Sequence, residues 1–173
     1  MKLHQLRLEH NTEHDRLLLR ISTHEGTEVL LWLTRRCVRL LWPILVDMAQ
    51  SSPRIALQSD PLARAALLEF EHEQALRGVD FSHPYEKGER ERPLGTEPML
   101  VTRIHRNKDA EGNHVLSFSP RSDQRVNFTL DDMLLHSLCR LLQKVVADTD
   151  WDLPLSLPQV LLPNAERSAR TIN

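Results

Sequence analysis

At 173 residues, with 40% hydrophobic and 27% charged residues, the chain has the size and balance of one folded domain with a sizeable core. A net charge of −2 and a pI near 6.5 exclude a strong field for polyanions, and two cysteines exclude a disulfide framework. The greasiest stretch, Val29 to Val46, is broken by Arg35, Arg36 and Arg39, which excludes an ordinary membrane span; Met1 to Arg7 lacks the apolar run of a signal peptide. The expectation is a soluble cytoplasmic protein.

Leu3 to Glu9 alternates and predicts a strand, and the polar Asn11 to Asp15 a turn. Arg16 to Ser22 is a second strand with Leu17, Leu19 and Ile21 on one face. A turn at His24-Glu25-Gly26 leads to a third strand, Thr27 to Leu33, apolar on both faces near Leu30. Thr34 then caps a helix to about Gln50, with Val38, Leu41, Leu45 and Met48 as its apolar stripe. Pro43 inside that helix removes a backbone bond and predicts a kink or a restart.

Asp60 as cap and Pro61 at the first turn open another helix, which closes at Arg77-Gly78. Its predicted apolar face is Leu62, Ala66, Leu67 and Phe70. Asp80 to Pro98 is polar and charged and reads as a mobile surface loop. Leu100 to Arg106 predicts a strand, and His114 to Ser119 with Arg125 to Leu130 a hairpin. Asp131 caps a helix to about Asp148. Trp151, Leu153, Leu155 and Leu157 alternate with polar residues and proline, as an extended arm would.

Residues 16–49 and 113–146 superpose without a gap at an offset of 97. Fourteen of the 15 apolar residues in the second segment meet apolar residues in the first, where chance gives about 8. The exception is Met133, which meets Arg36. The same offset pairs the caps Thr34 and Asp131, and pairs Leu3 with Leu100. The chain therefore reads as α+β: two tandem β-β-β-α units in one pseudo-twofold, mostly antiparallel sheet with helices on one face, plus one inserted helix. The expected organisation is a single domain over 1–163, with unit one at 1–50, an inserted helix and loop at 51–98, unit two at 99–150 and the arm at 151–163. Residues 164–173 are expected to be a disordered tail.

Local chemistry is sparse. His10 to His14 has the H-x-x-E-H spacing of one class of zinc peptidases, but it falls on a turn, where the two histidines cannot share a helix face. Asp148, Asp150 and Asp152 match the first half of a calcium loop, yet Leu153 and Gln159 stand where Gly and Glu are needed. Cys37 and Cys139 lie on apolar helix faces, as buried structural thiols do. No metal, cofactor or catalytic residue is expected, and the reading leans away from an enzyme.

Two functions remain. One is a non-enzymatic protein-interaction or scaffold module, in the form of a small homodimer. The other is a single-stranded nucleic-acid binder using the open sheet face. At fold level the tandem units resemble the whirly and PUR-type binders, which use four strands per repeat against three here. The candidate surface comprises Arg35, Arg36 and Arg39 on the first helix, Arg7, Arg20 and Trp32 on the sheet, and Trp151 on the arm. The expected partner is protein, self or other. Nucleic acid is disfavoured by net charge and no membrane is expected. The positions matching the arginine strip are Asp132, Met133 and His136, so surface charge is exchanged between units that share a core pattern.

Overall fold

The structure, a computed structural model, describes residues 3–82, 85, 89–121 and 124–159. The predicted tail, 164–173, and the last four residues of the predicted arm lie outside the described residues. The elements run β1 (Leu3–Asn11), β2 (Arg16–Thr23), β3 (Glu28–Leu33), α1 (Arg35–Gln50), α2 (Pro53–Ala56), α3 (Pro61–Leu76), β4 (Met99–Leu100), β5 (Arg103–Lys108), β6 (His114–Ser119), β7 (Val126–Leu130) and α4 (Asp132–Ala147). The fold is α+β, and each half is an antiparallel meander followed by a helix.

The expected single sheet is corrected. The strands form two sheets, ordered β1-β2-β3-β4 and β5-β6-β7. The cause is a change of partner along 99–108. Met99 and Leu100 pair in parallel with Leu31 and Trp32, and the Val101 amide donates to the Trp32 carbonyl at 3.0 Å. One residue later the Thr102 amide donates to the Ser119 carbonyl at 3.0 Å, and pairing continues antiparallel along β6. One extended segment thus belongs to both sheets.

The repeat is realised element by element. The bounds of α1 and α4 differ by the predicted offset at both ends. The Thr34 hydroxyl accepts from the Cys37 amide at 3.1 Å, and the Asp131 carboxylate accepts from the Leu134 amide at 2.8 Å. Leu19 faces Leu31, as Leu116 faces Phe128. The first strands do not follow the offset. Leu8 faces Leu19, but it is Arg106 rather than His105 that faces Leu116, so the first strands are one residue out there, and beyond the bulge between Leu3 and Gln5 the predicted match of Leu3 with Leu100 is not kept. Because side chains alternate, one residue changes the face. Arg106 therefore takes the inner position that the buried Leu8 holds in unit one, and it forms an ion pair with Asp47 of α1.

Packing follows the exchange of strands. α1 lies against β3 of its own unit and β5 of the other; α4 lies against β7 of its own unit and β1 of the other. Residues of both sheets and both helices form one core, with Leu17, Leu19, Leu31, Leu33, Leu41, Leu45, Phe118, Phe128 and Leu142 at its centre. α1 is continuous through Pro43, so the helix does not restart. α3 packs on α4 and α1 as an outer layer. Its buried residues are Ala65 and Leu68, whereas the predicted Leu62 and Phe70 are exposed. Apolar residues surround this helix, so its own pattern does not select a face; the neighbouring helices do.

The arm returns onto its own chain. Trp42 Nε1 donates to the Ser156 carbonyl at 3.2 Å and Gln143 Nε2 to the Leu155 carbonyl at 2.9 Å, so the arm crosses both repeat helices. Trp151 is buried, and its indole N–H donates to the Asp15 carboxylate in the β1–β2 turn. The described residues of the predicted loop over 80–98 make polar contacts with β3. Glu28 is buried; its carboxylate accepts from the Tyr85 hydroxyl at 2.9 Å and from Arg92 Nε at 2.8 Å. Glu91 adds a parallel bridge beside Thr27. A buried carboxylate needs such partners, so the loop is held where Glu28 holds it.

Trp151 fixes the arm at one end of the core. Trp151→Ala should lower stability by about 3–5 kcal/mol in urea denaturation, through lost packing and a cavity. Trp151→Phe, which keeps a ring but no donor, should recover more than half of that loss.

Candidate functional site

The predicted surface residues separate into four places. Arg35, Arg36 and Arg39 are exposed on the first half of α1. Arg7 and Arg20 face each other across β1 and β2, and both engage Glu9: Arg7 at 2.6 Å and Arg20 at 3.3 Å. Trp32 is half-buried at the far side of that sheet face, with its ring 5.6 Å from the His14 ring. Trp151 is 2% exposed, so it serves the interior and not a partner surface. Its indole, more than any other group, holds the Asp15 carboxyl below the usual range.

Of these residues, Arg36 opens onto a groove of about 740 Å³ between α1 and the segment running through β4 and β5. Cys37, Leu40, Ile44, Leu100, Val101 and Ile104 supply its apolar surface; Arg36, Arg103 and Arg121 supply its charge. Leu40 is 50% exposed and Leu100 36%. Among the described residues no acidic group lines it. Bases in the first turn of a helix oppose its dipole, and α1 has no acidic residue there to offset them. Leu40 sits off the apolar stripe of α1, so helical periodicity does not single it out. An apolar residue outside the stripe and between arginines was the available signal.

A second groove occupies the equivalent place in the other unit, between α4 and β1. Met133, Leu134, Ser137 and Leu141 line it at the α4 positions that correspond to Arg36, Cys37, Leu40 and Ile44. On the strand side His4, Gln5 and Leu6 correspond to Thr102, Arg103 and Ile104, once the one-residue register difference is included. Here the inserted segment contributes as well: Val79, Asp80, Phe81 and Tyr85 lie along the groove with Arg7 and Lys144. Among the described residues nothing comparable lines the α1–β5 groove. The inserted segment thus adds a wall to one of the two equivalent grooves, and the other lacks it.

The remaining polar groups are structural in their contacts. Both cysteines are buried, and burial pushes their thiols up to about 12, far from a thiolate at neutral pH. Burial, followed by its hydrogen bond to Glu28, raises the Tyr85 hydroxyl. His10 packs edge-on to Trp151, with ring centroids 5.9 Å apart, and His14 turns to Trp32, so the two histidines of the H-x-x-E-H spacing have different surroundings. His136, which matches Arg39 in the repeat, is buried beneath α3. Its Nδ1 lies 2.9 Å from His72 Nδ1, so one ring donates and the other accepts.

No protein-family model, curated protein or solved structure matches the chain at a significant level. Among the described residues no helix is long and apolar enough to cross a membrane.

The histidine pair makes stability depend on pH. Burial is the main cause holding both rings below their ordinary value; His72, also beside His136 and Arg140, falls from 6.5 to about 4. Glu73 and Asp132 oppose this more weakly. Below pH 6.5 the unfolded chain binds protons that the folded chain refuses. The contribution is thus complete above 6.5 and lost as pH falls toward about 4. Urea titrations at stepped pH should show a loss on the order of 2 kcal/mol across that window. His72→Leu should flatten that slope.

Proposed function

We propose that the chain is a non-enzymatic protein-interaction module that takes up a partner segment in the groove between α1 and β5. One observation carries this reading: exposed Leu40 and Leu100 share an apolar floor with the exposed arginines Arg36, Arg103 and Arg121 on its rim. An apolar floor with a cationic rim suits a peptide bearing an anchor side chain and a carboxylate. Among the described lining residues no nucleophile stands beside a base and an orienting partner. The alternative, single-stranded nucleic acid on the open sheet face, has less support. Arg7 and Arg20 there already share Glu9, and Trp32 is the one large aromatic on that face of the sheet among the described residues.

Peptide display against the intact chain tests the reading. Wild type should retain peptides that Leu40→Asp retains about ten-fold less, with an unchanged melting temperature, since Leu40 is half exposed. Labelled oligonucleotides at two salt concentrations should show no salt-sensitive binding at micromolar protein. Equal peptide retention by the two proteins, or oligonucleotide binding lost at the higher salt, overturns the proposal.

A further inference from the structure

The equivalence of the two grooves carries the argument further, on the premise that the α1–β5 groove is a docking surface. In the α4–β1 groove one wall is formed by the chain's own Val79-Asp80-Phe81, an apolar residue, an acid and an aromatic in succession, with Asp80 and Phe81 themselves exposed. In that groove the acids Asp80 and Glu9 share the lining with the cations Arg7 and Lys144; Glu9 holds Arg7, and Asp80 accepts from Ser82. The open groove keeps the same helix and strand positions and carries more positive charge, with three arginines on its rim and no acid among its described lining residues. Arg36 replaces Met133, which exchanges an apolar contact for a guanidinium able to hold a carboxylate by two parallel bonds. Ser137, small and polar, is replaced by exposed Leu40, which gives an aromatic ring a broader apolar surface.

We infer that the α1–β5 groove binds an extended acidic–aromatic segment of a partner protein, with the chemistry of the chain's own Val79-Asp80-Phe81. The aromatic side chain lies on Leu40, Ile44 and Ile104, and the carboxylate meets Arg36 and Arg103. The segment 160–173 is a poorer occupant by charge, having Arg167 and Arg170 against Glu166 alone.

A fluorescein-labelled peptide of the sequence Gly78–Tyr85, added to the full chain, is the probe. Saturable binding is expected, with amide shifts on α1 and β5. Replacing the peptide's aspartate by lysine, or its phenylalanine by serine, should weaken binding about ten-fold. Arg36→Glu with Arg103→Glu should reverse the preference, so that the lysine peptide binds better than the aspartate peptide. Both substitutions are at exposed positions, and thermal melting checks that the fold persists. The inference is overturned by absence of saturable binding, by equal affinity for the aspartate and lysine peptides, or by shifts confined to α4 and β1. It also falls if the groove proves to hold a second copy, seen as a concentration-dependent dimer lost in Leu40→Asp, or the chain's own end, seen as binding that appears only after truncation at Gln159. Display peptides of another chemistry that still depend on Leu40 would overturn this inference and leave the interaction module standing; no Leu40-dependent peptide at all would overturn both.

Discussion

The backbone from Met99 to Lys108 is shared by two sheets, and that sharing organises the molecule. Its first residues complete the ladder of unit one, and the rest begin the ladder of unit two. A strand with one partner on each part of its length must turn where the partner changes, at Val101 and Thr102. Two sheets joined this way present their apolar faces to one volume, and two helices are needed to fill it. Each helix packs on its own third strand and on the first strand of the other unit. The two halves therefore interlock, and neither buries its apolar residues alone.

The same geometry produces the grooves. Where a helix passes over the other unit's first strand there is a seam, and the arrangement makes two of them. Unit two's seam is lined in part by the inserted segment, and the anchor for that segment is polar. Buried Glu28 gathers Tyr85 and Arg92, and the bridge between Thr27 and Glu91 aligns the returning chain with β3. Removing Arg92 would leave the buried carboxylate without its countercharge, which makes this cluster costly to disturb. The outer layer of α3 is fixed at a second polar contact, the neutral histidine pair, which forms because both rings are taken from water together.

Broken symmetry is concentrated at the helix starts and in the first strands. α4 begins with Asp131 and Asp132, in accord with its dipole, whereas α1 begins with Arg35 and Arg36, against it. The one-residue difference in the first strands places Leu8 in the core of one unit and, at the matching position of the other, Arg106 in an exposed ion pair with Asp47. Local patterning cannot reveal such a shift, because both strands alternate acceptably in either register.

Much of the fold was legible along the chain. The repeat offset placed both helices, their caps and four of the six principal strands, because capping residues and apolar periodicity act within a few residues of one another. Thr34, Asp60 and Asp131 all accept the backbone bonds that their positions predict. What tertiary structure alone decided are the choices made between distant residues. The face of α3 was set by α4, not by its own evenly distributed leucines and alanines. Trp151 and the arm were committed to the chain's own core by Asp15, Trp42 and Gln143. The loop after α3 was pinned by Glu28, more than fifty residues earlier in the chain. The open groove brings Arg36 and Leu40 of one unit beside Arg103 and Arg121 of the other. Sequence determines what each element prefers through short-range forces; which preferences meet is set by the shared core, whose burial energy is gained only when both units close on it together.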